Sequence, residues 1–309
     1  MDTPLCQIAL SVTDLARSRS WYEQLGLEIS GAMPPISGDV PARILELPEV
    51  DIRINWLRGH DPMSQLEIMQ FLRPAPRPLA PGWSPRCKGY GIVSLVVADF
   101  ERMLNRLRAA ATPRAITGQQ GSRSLWIADP DGIPLEILEK DPLGLQRSNG
   151  SGGELTSIRA ITLTVGDLTK AHRFWTSAVG LIPCCASEGA FNPFPEKLDS
   201  GAVGWEQWLL QGGSLIVRLL KPRTEGVVAR PPDYRLSDVG VLNVAAIVDS
   251  PEAFSALLER VRKLGYKFTT DAPMTMGDAA AIYGHDDQGI SIEAGYVLPG
   301  HEGKYGWKR

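Results

Sequence analysis

The 309-residue sequence has few cysteines, and their spacing excludes two common uses. Cys6, Cys87, Cys184 and Cys185 include no CxxC pair and no zinc-finger spacing. The adjacent residues Cys184 and Cys185 could form only a strained disulfide. We therefore expect reduced thiols and a cytoplasmic protein.

Long apolar runs and strong charge are also missing. No apolar stretch approaches the ~18 residues that cross a bilayer, and the first residues, Met1 to Pro4, lack the features of a signal peptide. A net charge of −3 provides no basic surface, so we expect neither nucleic-acid nor membrane binding. The composition, 43% hydrophobic and 22% charged, is typical of a globular protein, and the length suggests about two domains.

A short sequence pattern occurs four times, near the start of each quarter of the chain. Each copy is an alternating apolar run, typical of a half-buried strand, which ends in Asp before a predicted helix. The copies span residues 7–15, 92–100, 160–168 and 243–249. The repetition predicts four modules of one strand, one helix and three further strands.

The modules define the predicted fold, which is of the α+β class. Residues 1–146 form an N-terminal domain with modules at 1–75 and 88–140, and residues 156–298 form a C-terminal domain with two more. The Ser- and Gly-rich segment 147–155 is read as a linker, and the tail 299–309 has no assigned role. Two four-stranded sheets can enclose a cavity, so we expect two open, cup-shaped, eight-stranded barrels, one per half.

Strand alternation predicts one polar site in the N-terminal half. If Ile8 and Leu10 pack beneath a helix, Gln7 faces the interior of the cup, and the same argument turns Glu67 and Glu136 inward. These three side chains are expected to converge. Two buried carboxylates there would need a cation, a donor or a proton to neutralise them.

Together, these motifs resemble the vicinal oxygen chelate superfamily, which contains glyoxalases, bleomycin-binding proteins and extradiol dioxygenases. The resemblance rests on the repeated strand pattern, on the aromatic-rich helices that end at 25–27 and 179–181, and on Asp-Pro-Asp-Gly at 129–132 before Glu136. It covers nearly the whole chain and specifies the fold better than the reaction.

The resemblance implies metal-ligand positions at the start of the first strand and in the last strand of each module. In the N-terminal half these positions carry Gln7, Glu67, Ile92 and Glu136. The set is similar to a glyoxalase quartet in which Ile92 replaces a histidine. In the C-terminal half they carry Ala160, a residue near Leu215, Asn243 and Glu293, so that half is read as lacking its ligand set.

Two chemistries are consistent with Gln7, Glu67 and Glu136. A bound divalent metal (Mg, Mn, Fe or Zn) would polarise a substrate carbonyl while a carboxylate, Glu67 or Glu136, moves the neighbouring proton. An all-oxygen ligand set favours Mg or Mn over Zn. Alternatively no metal is present, and crowding raises the pKa of Glu67 or Glu136 enough for acid–base catalysis.

Six further residues are candidates for substrate contacts. His60 could reach the cavity mouth from its loop, and the register of its strand decides whether Arg218 enters the second cup to bind a carboxylate or phosphate, or faces solvent. The other candidates are Trp56, Trp126, Asn243 and Glu293.

The leading hypothesis is a glyoxalase-like isomerase, epimerase or lyase that transfers a proton next to the carbonyl of a small oxygenated substrate. The alternative is a metal-free protein that sequesters a drug or metabolite, as bleomycin-resistance proteins do. An extradiol-type dioxygenase with atypical ligands ranks third. A homodimer is compatible with each hypothesis.

Overall fold

The computed structural model describes residues 5–61, 63–110, 115–144, 156–186, 189–199, 204–286 and 288–307. The four expected modules are present. Module 1 contains β1 (Leu5–Val12), α1 (Leu15–Gln24), β2 (Glu28–Ser37), α2 (Asp39–Ile44), β3 (Asp51–Arg58) and β4 (Gln65–Arg73). Module 2 contains β5 (Gly89–Val97), α3 (Phe100–Ala109), β6 (Ala115–Thr117), β7 (Ser124–Ala128) and β8 (Pro134–Leu138).

The second half repeats this order. Module 3 contains β9 (Thr156–Thr164), α4 (Leu168–Arg173), a π-helical segment (Phe174–Val179), β10 (Ile182–Pro183), β11 (Trp205–Gly212) and β12 (Leu215–Pro222). Module 4 contains β13 (Gly240–Val248), α5 (Pro251–Lys263), β14 (Lys267–Phe268), β15 (Met274–Thr275), β16 (Ala279–His285) and β17 (Ser291–Val297). A 3-10 helix (Glu302–Tyr305) follows, and the predicted linker at 147–155 lies outside the described residues.

The residue that ends each repeated pattern caps the following helix. The side chains of Asp14, Asp99 and Asp167 each accept a backbone N–H three residues later, at 2.9–3.0 Å. In module 4, Ser250 has this role, with its Oγ 3.2 Å from the backbone N of Ala253. The repeated Asp is thus explained by helix capping, which stabilises a helix by about 1 kcal/mol.

The strands form two open sheets, which confirms the α+β class and the two cup-shaped barrels. One sheet has the order β14-β16-β17-β13-β1-β4-β3-β2, and the short β15, pairing with β16, gives it nine strands. The other has eight strands in the order β10-β11-β12-β9-β5-β8-β7-β6.

The predicted pairing of modules was wrong. We expected one barrel per half, but β1 pairs antiparallel with β13 and β5 with β9. Modules 1 and 4 therefore share the first sheet, and modules 2 and 3 share the second. The four inner strands carry nearly the same pattern, so the alternation that identifies them does not select their partners.

The helices pack on the faces of the sheets opposite the cups, and their apolar residues join both sheets in one continuous core. Helix α1 contacts α3, where Arg106 donates to the backbone carbonyl of Gln24 at 2.6 Å. Helix α5 contacts the π-helical segment, where Arg260 donates to the carbonyl of Ala178 at 2.8 Å. In the part of the chain that the structure describes, no helix has both the length and the apolar character needed to span a membrane.

Candidate active site

Four polar residues meet where modules 1 and 4 join. Gln7 lies on β1 and Glu67 on the adjacent β4, while Asn243 and Glu293 occupy the equivalent positions on β13 and β17. Because β1 and β13 pair antiparallel, the two halves of this set face each other across the middle of the sheet. We call the concave face around these four residues the first cup.

Glu67 is held by two donors on the same sheet. The indole Nε1 of Trp56 donates to Oε1 and the amide Nε2 of Gln7 donates to Oε2, both at 3.0 Å. Gln65 in turn donates to the amide oxygen of Gln7 at 2.6 Å. The carboxyl of Glu67 is 4% exposed, so this network fixes its position and orientation.

Glu293 is less enclosed, and it faces an unsatisfied amide. The hydroxyl of Tyr283 donates to Glu293 Oε2 at 2.9 Å, and Glu293 is only partly buried. Asn243 is fully buried. Its amide nitrogen interacts with the hydroxyl of Tyr283, and its amide oxygen has no hydrogen-bond partner among the described residues. Such a group is costly inside a protein, so the site has capacity for a ligand, an ion or water.

The two carboxyl groups oppose each other's ionisation. Burial, followed by the charge of Glu293, raises the pKa of Glu67 well above its usual range. Burial likewise raises the pKa of Glu293 to about 7, although the hydrogen bond from Tyr283 lowers it. The pair therefore retains a proton near neutral pH, where an ordinary glutamic acid has lost it.

The residues of the first cup fit a hard divalent cation. Two carboxylates and the amide oxygens of Asn243 and Gln7 form an all-oxygen set, and the oxygen of Asn243 is unsatisfied. Such a set suits Mg²⁺ or Mn²⁺ better than Zn²⁺. Considering only His, Cys, Asp and Glu, the described residues contain no group of three placed to bind a metal. The fit thus depends on the two amides.

The tail, to which the sequence assigned no role, covers one side of this site. Gln65 donates to the backbone carbonyl of Tyr305 at 3.0 Å, and the Tyr305 hydroxyl donates to Asp278 at 2.7 Å. Trp307 is 6% exposed and packs in the same apolar cluster as Cys6. We call residues 299–307 the strap, because they cross from module 4 to the Gln65 side chain of module 1.

The second cup, formed by modules 2 and 3, has a different polar centre. Glu136 is fully buried, and it accepts hydrogen bonds from Ser124 at 2.7 Å and from Ser94 at 3.0 Å. Its Oε2 lies 3.6 Å from Nη1 of Arg218. Burial raises the pKa of Glu136, and the charge of Arg218 opposes this effect.

Arg218 occupies the position of Glu67 in the repeat. It pairs with Thr162 across β12 and β9 as Glu67 pairs with Ala9 across β4 and β1. Its Nε donates to Gln207 at 2.6 Å, and its guanidinium carbon lies 4.9 Å from the centre of the Phe191 ring. The inward register, one of the two alternatives that the sequence left open for Arg218, is therefore confirmed.

The second cup does not fit a metal by the same criterion. The remaining ligand positions carry the apolar residues Ile92 and Ala160, which have no donor atoms in their side chains. The guanidinium of Arg218 already neutralises Glu136. A fixed side-chain cation stands where the family pattern has a ligand.

Some of the predicted convergence is confirmed and some is wrong. Gln7 and Glu67 do meet, but Glu136 lies in the other sheet, because modules 1 and 2 do not pair. Asn243 and Glu293 were expected in a half without ligands, yet they complete the first cup. The repeat positions already identified both residues; only the pairing was missing.

The other candidates divide between the two cups and the surface. Trp56 contacts Glu67, and Trp126 lies in the second sheet, where its ring centre is 5.4 Å from that of Phe194. The side chain of His60 is exposed, and its backbone N–H donates to the carbonyl of Thr156. Sequence reasoning missed Tyr283 and Gln65. Tyr283 pairs with Glu293 as Trp56 pairs with Glu67, so the repeat could have identified it.

A family model, described as the Glyoxalase/Bleomycin resistance protein/Dioxygenase superfamily, matches residues 5–137. The two shared sheets extend that architecture over both halves of the chain. The matched residues comprise modules 1 and 2, which are therefore similar in sequence to this superfamily.

Solved structures share the fold of this chain at low sequence identity. Glyoxalase I from Zea mays has a TM-score of 0.61 at 14% identity, with 96% of this chain and 92% of that chain covered. A Bacillus subtilis protein, provisionally assigned as a dioxygenase, has a TM-score of 0.65 at 15% identity, with 97% and 86% covered. These similarities support the fold. A comparison with curated protein sequences gave no significant match.

Proposed function

We propose that the first cup catalyses proton transfer at a carbon next to the carbonyl of a small oxygenated molecule, in a reaction of the isomerase, epimerase or lyase type. The observation that supports this most directly is the carboxyl of Glu293, whose pKa is raised to about 7 in a partly open position beside Glu67. A general base is most effective when its pKa lies near the working pH.

Each residue of the cup has a distinct role in this proposal. Ionised Glu293 removes the proton from carbon and returns it to the neighbouring carbon or to the opposite face. Tyr283 holds the Oε2 atom of Glu293 by its hydrogen bond, which orients the carboxyl. The amide nitrogen of Asn243 interacts with Tyr283 through one N–H, and its second N–H donates to the substrate oxygen, on which negative charge develops.

Glu67 keeps the second charge under control. The hydrogen bonds from Trp56 and Gln7 prevent the carboxyl of Glu67 from rotating toward the substrate. While Glu67 holds the proton that the pair retains, Glu293 is free to accept another. A divalent cation held by Glu67, Glu293, Asn243 and Gln7 would, when bound, polarise the substrate carbonyl and stabilise an enolate.

The proposed base can be tested without knowing the substrate. Difference infrared spectroscopy of the carboxyl band across pH 4–9, compared between the wild type and Glu293→Gln, should assign to Glu293 a titration near pH 7. A titration near the ordinary value of 4.5 would remove the basis of the proposal.

The reaction itself is tested by hydrogen–deuterium exchange at carbon. Proton NMR in D₂O follows a panel of small α-hydroxy ketones, 2-oxo acids and 3-oxo acids, with and without added Mg²⁺ or Mn²⁺. For any compound that the wild type exchanges, Glu293→Gln should slow exchange by roughly 10²–10⁴-fold. Glu252→Gln, on the exposed side of α5, is the matched control and should retain the wild-type rate. Unchanged exchange in Glu293→Gln contradicts the assignment.

Metal binding has its own readout. Elemental analysis of protein purified without chelator, followed by Mn²⁺ titration monitored by electron paramagnetic resonance, measures occupancy directly. Asn243→Leu and Glu293→Gln should each weaken Mn²⁺ binding, whereas Arg218→Lys in the second cup should not. Equal Mn²⁺ binding by all variants would place any metal elsewhere.

The second candidate function is metal-free binding of a small molecule in the second cup. It is favoured by the charge-neutral centre of Glu136 and Arg218 and by the neighbouring rings of Phe191 and Phe194, 4.9 and 5.3 Å from the guanidinium. Ligand-induced thermal stabilisation that is insensitive to chelators and is lost in Arg218→Lys would support it. Ring cleavage of the extradiol type ranks last, since the first cup contributes amides and carboxylates rather than two histidines. The cytoplasmic location and the homodimer remain predictions.

A further inference from the structure

A cavity outside both cups lies between the two segments that connect the modules of each half. Residues 74–88 connect modules 1 and 2, and residues 223–239 connect modules 3 and 4. The segments are joined by backbone hydrogen bonds from Lys88 to the Val228 carbonyl at 2.8 Å and from Val239 to the Arg77 carbonyl at 3.0 Å. We call the space they enclose the connector cleft. Its volume of about 460 Å³ is within the usual range for small-molecule sites.

The walls of the connector cleft are largely apolar and aromatic. Trp83, Tyr90 and Tyr234 line it together with aliphatic side chains such as Leu79 and Val241. Tyr90 is held in place by a hydrogen bond from its hydroxyl to the Ser291 carbonyl at 2.7 Å. A Cβ atom at position 91 would lie 2.8 Å from the Trp83 ring, so the glycine there lets the indole pack directly on the backbone. Rigid aromatic walls of this kind suit a planar ligand.

The two arginines of the cleft differ in their charge compensation. Arg77 forms ion pairs with Asp233 and with Asp238, which is 2.5 Å away. Arg230 has its guanidinium 4.4 Å from the centre of the Tyr234 ring, and its Nε donates to the Lys88 carbonyl at 3.0 Å. Among the described residues, no carboxylate lies within ion-pairing distance of Arg230. One cation in an aromatic cleft is therefore left without an acidic partner.

This arrangement identifies the class of ligand. We propose that the connector cleft binds a planar aromatic carboxylate, with the ring against Trp83 and Tyr234 and the carboxylate on Arg230. A single uncompensated guanidinium matches one negative charge, and its fork of donors matches the two oxygens of a carboxylate. A phosphate monoester carries nearly two charges. Although Lys88 also lines the cleft, Asp233 and Asp238 would repel the phosphate more strongly than a singly charged carboxylate.

The cleft contains its own reporter. Cys87 lines the cavity and is a free, partly exposed thiol, and Cys185, an exposed free thiol, does not line it. The full-length protein is treated with iodoacetamide, and the alkylation rate of each cysteine is followed by peptide mass spectrometry. The probe is 2-naphthoate; neutral 2-naphthol and 2-naphthyl phosphate are compared at the same concentrations.

We expect 2-naphthoate at saturation to slow alkylation of Cys87 at least tenfold, with the rate at Cys185 unchanged. Half-protection should require roughly 10–100-fold more 2-naphthol, which lacks the charge-assisted hydrogen bonds. In Arg230→Gln, the concentration of 2-naphthoate that half-protects Cys87 should rise to that of 2-naphthol. In Arg230→Lys it should be intermediate. Slow alkylation of the buried Cys6 in the free variants verifies that they remain folded.

Several results would overturn the proposal. Equal protection by 2-naphthoate and 2-naphthol, stronger protection by 2-naphthyl phosphate, or 2-naphthoate protection that survives in Arg230→Gln would each contradict charge recognition by Arg230. Absence of protection by all three probes would contradict a ligand site here. Glu293→Gln should keep the wild-type protection at Cys87, so the test does not depend on the function proposed for the first cup.

Discussion

The two cups have the same scaffold and opposite electrostatics. At equivalent positions the first cup has Glu67 and Glu293, two carboxyls whose pKa values are both raised, whereas the second has Glu136 facing Arg218. Burial and mutual repulsion prevent the two carboxyls of the first cup from being ionised together near neutral pH. The second is a buried ion pair with three further hydrogen bonds, from Ser94 and Ser124 to Glu136 and from Arg218 to Gln207.

The difference shows how a duplicated fold can separate chemistry from architecture. A carboxyl pair that shares a proton can exchange it with a substrate, whereas a carboxylate neutralised by a guanidinium cannot do so without leaving a buried charge unpaired. The cups differ at three equivalent positions: Glu67, Gln7 and Asn243 in the first are replaced by Arg218, Ala160 and Ile92 in the second, and only the second has a fixed positive charge. The comparison predicts that substitutions in the two cups have different effects on the free energy of unfolding and on its dependence on pH.

The largest effect is expected from breaking the ion pair of the second cup. Arg218→Leu leaves Glu136 buried without a counter-charge, and the free energy of unfolding at pH 7 should fall by roughly 3–5 kcal/mol. Urea denaturation measures the change. The double variant Glu136→Leu/Arg218→Leu should recover most of this loss, and a double variant as unstable as the single one would contradict the explanation.

The first cup should make stability depend on pH in the direction opposite to ordinary acids. Below about pH 4.5, Glu293 is protonated in both the folded and the unfolded chain, and its favourable contribution is complete. As the pH rises to about 7, only the unfolded chain loses this proton, so the free energy of unfolding falls, by on the order of 3 kcal/mol. Above pH 7 no further loss is expected from this group.

Urea denaturation at a series of pH values tests this dependence. Glu293→Gln should make the fall between pH 4.5 and 7 smaller, leaving the part due to Glu67, while the surface control Glu252→Gln keeps the full fall. If the wild type and Glu293→Gln show parallel curves, the raised pKa is not a property of Glu293.

The strap distinguishes the cups by position, since its contacts among the described residues are with modules 1 and 4. Gly306 has φ +85°, and a Cβ there would lie 2.7 Å from Oε1 of Gln65 and 2.8 Å from Oγ of Ser30. Gly300 has φ +86° with open space around it. Gly300→Ala should cost about 1 kcal/mol from backbone strain alone, and Gly306→Ala about 1–2 kcal/mol more. Equal losses in thermal unfolding would indicate that the strap is not tightly packed on module 1.

The smallest effect is expected from Tyr283→Phe. Its hydroxyl donates to Glu293 and lowers the pKa of that carboxyl, so removing it should raise the pKa by less than about one unit. The infrared titration of Glu293 should shift to higher pH, with the ion pair of the second cup unaffected. A shift to lower pH would contradict the assigned direction of this hydrogen bond.

The sequence was sufficient to predict the strands and helices, but not to predict which strands pair. The repeated patterns at 7–15 and 92–100 correspond to β1 (Leu5–Val12) and β5 (Gly89–Val97), each followed by the expected helix, because alternation and capping are local properties. The pairing of β1 with β13 depends on contacts between strands of almost identical pattern, which no local signal distinguishes.

The candidate site was likewise predicted only in part. Gln7 and Glu67 were correctly placed together because they lie on paired strands of one module. Glu293 was assigned to the wrong cup. Tyr283, four strands away from Glu67 in the sheet, was overlooked although it pairs with Glu293 as Trp56 pairs with Glu67. The strap was missed because its contacts are made by single residues such as Tyr305 and Trp307 in a segment without periodicity.

The nested order of the sheets has a consequence for biosynthesis. The eight-stranded sheet of modules 2 and 3, which contains β5 to β12, can form as soon as the ribosome has released the chain through Pro222. The nine-stranded sheet of modules 1 and 4 forms later, since β1, near the start of the sequence, pairs with β13, which begins at Gly240. Module 1 therefore emerges first and finishes last, with an unpaired strand edge exposed in the interval, where chaperones would be expected to act.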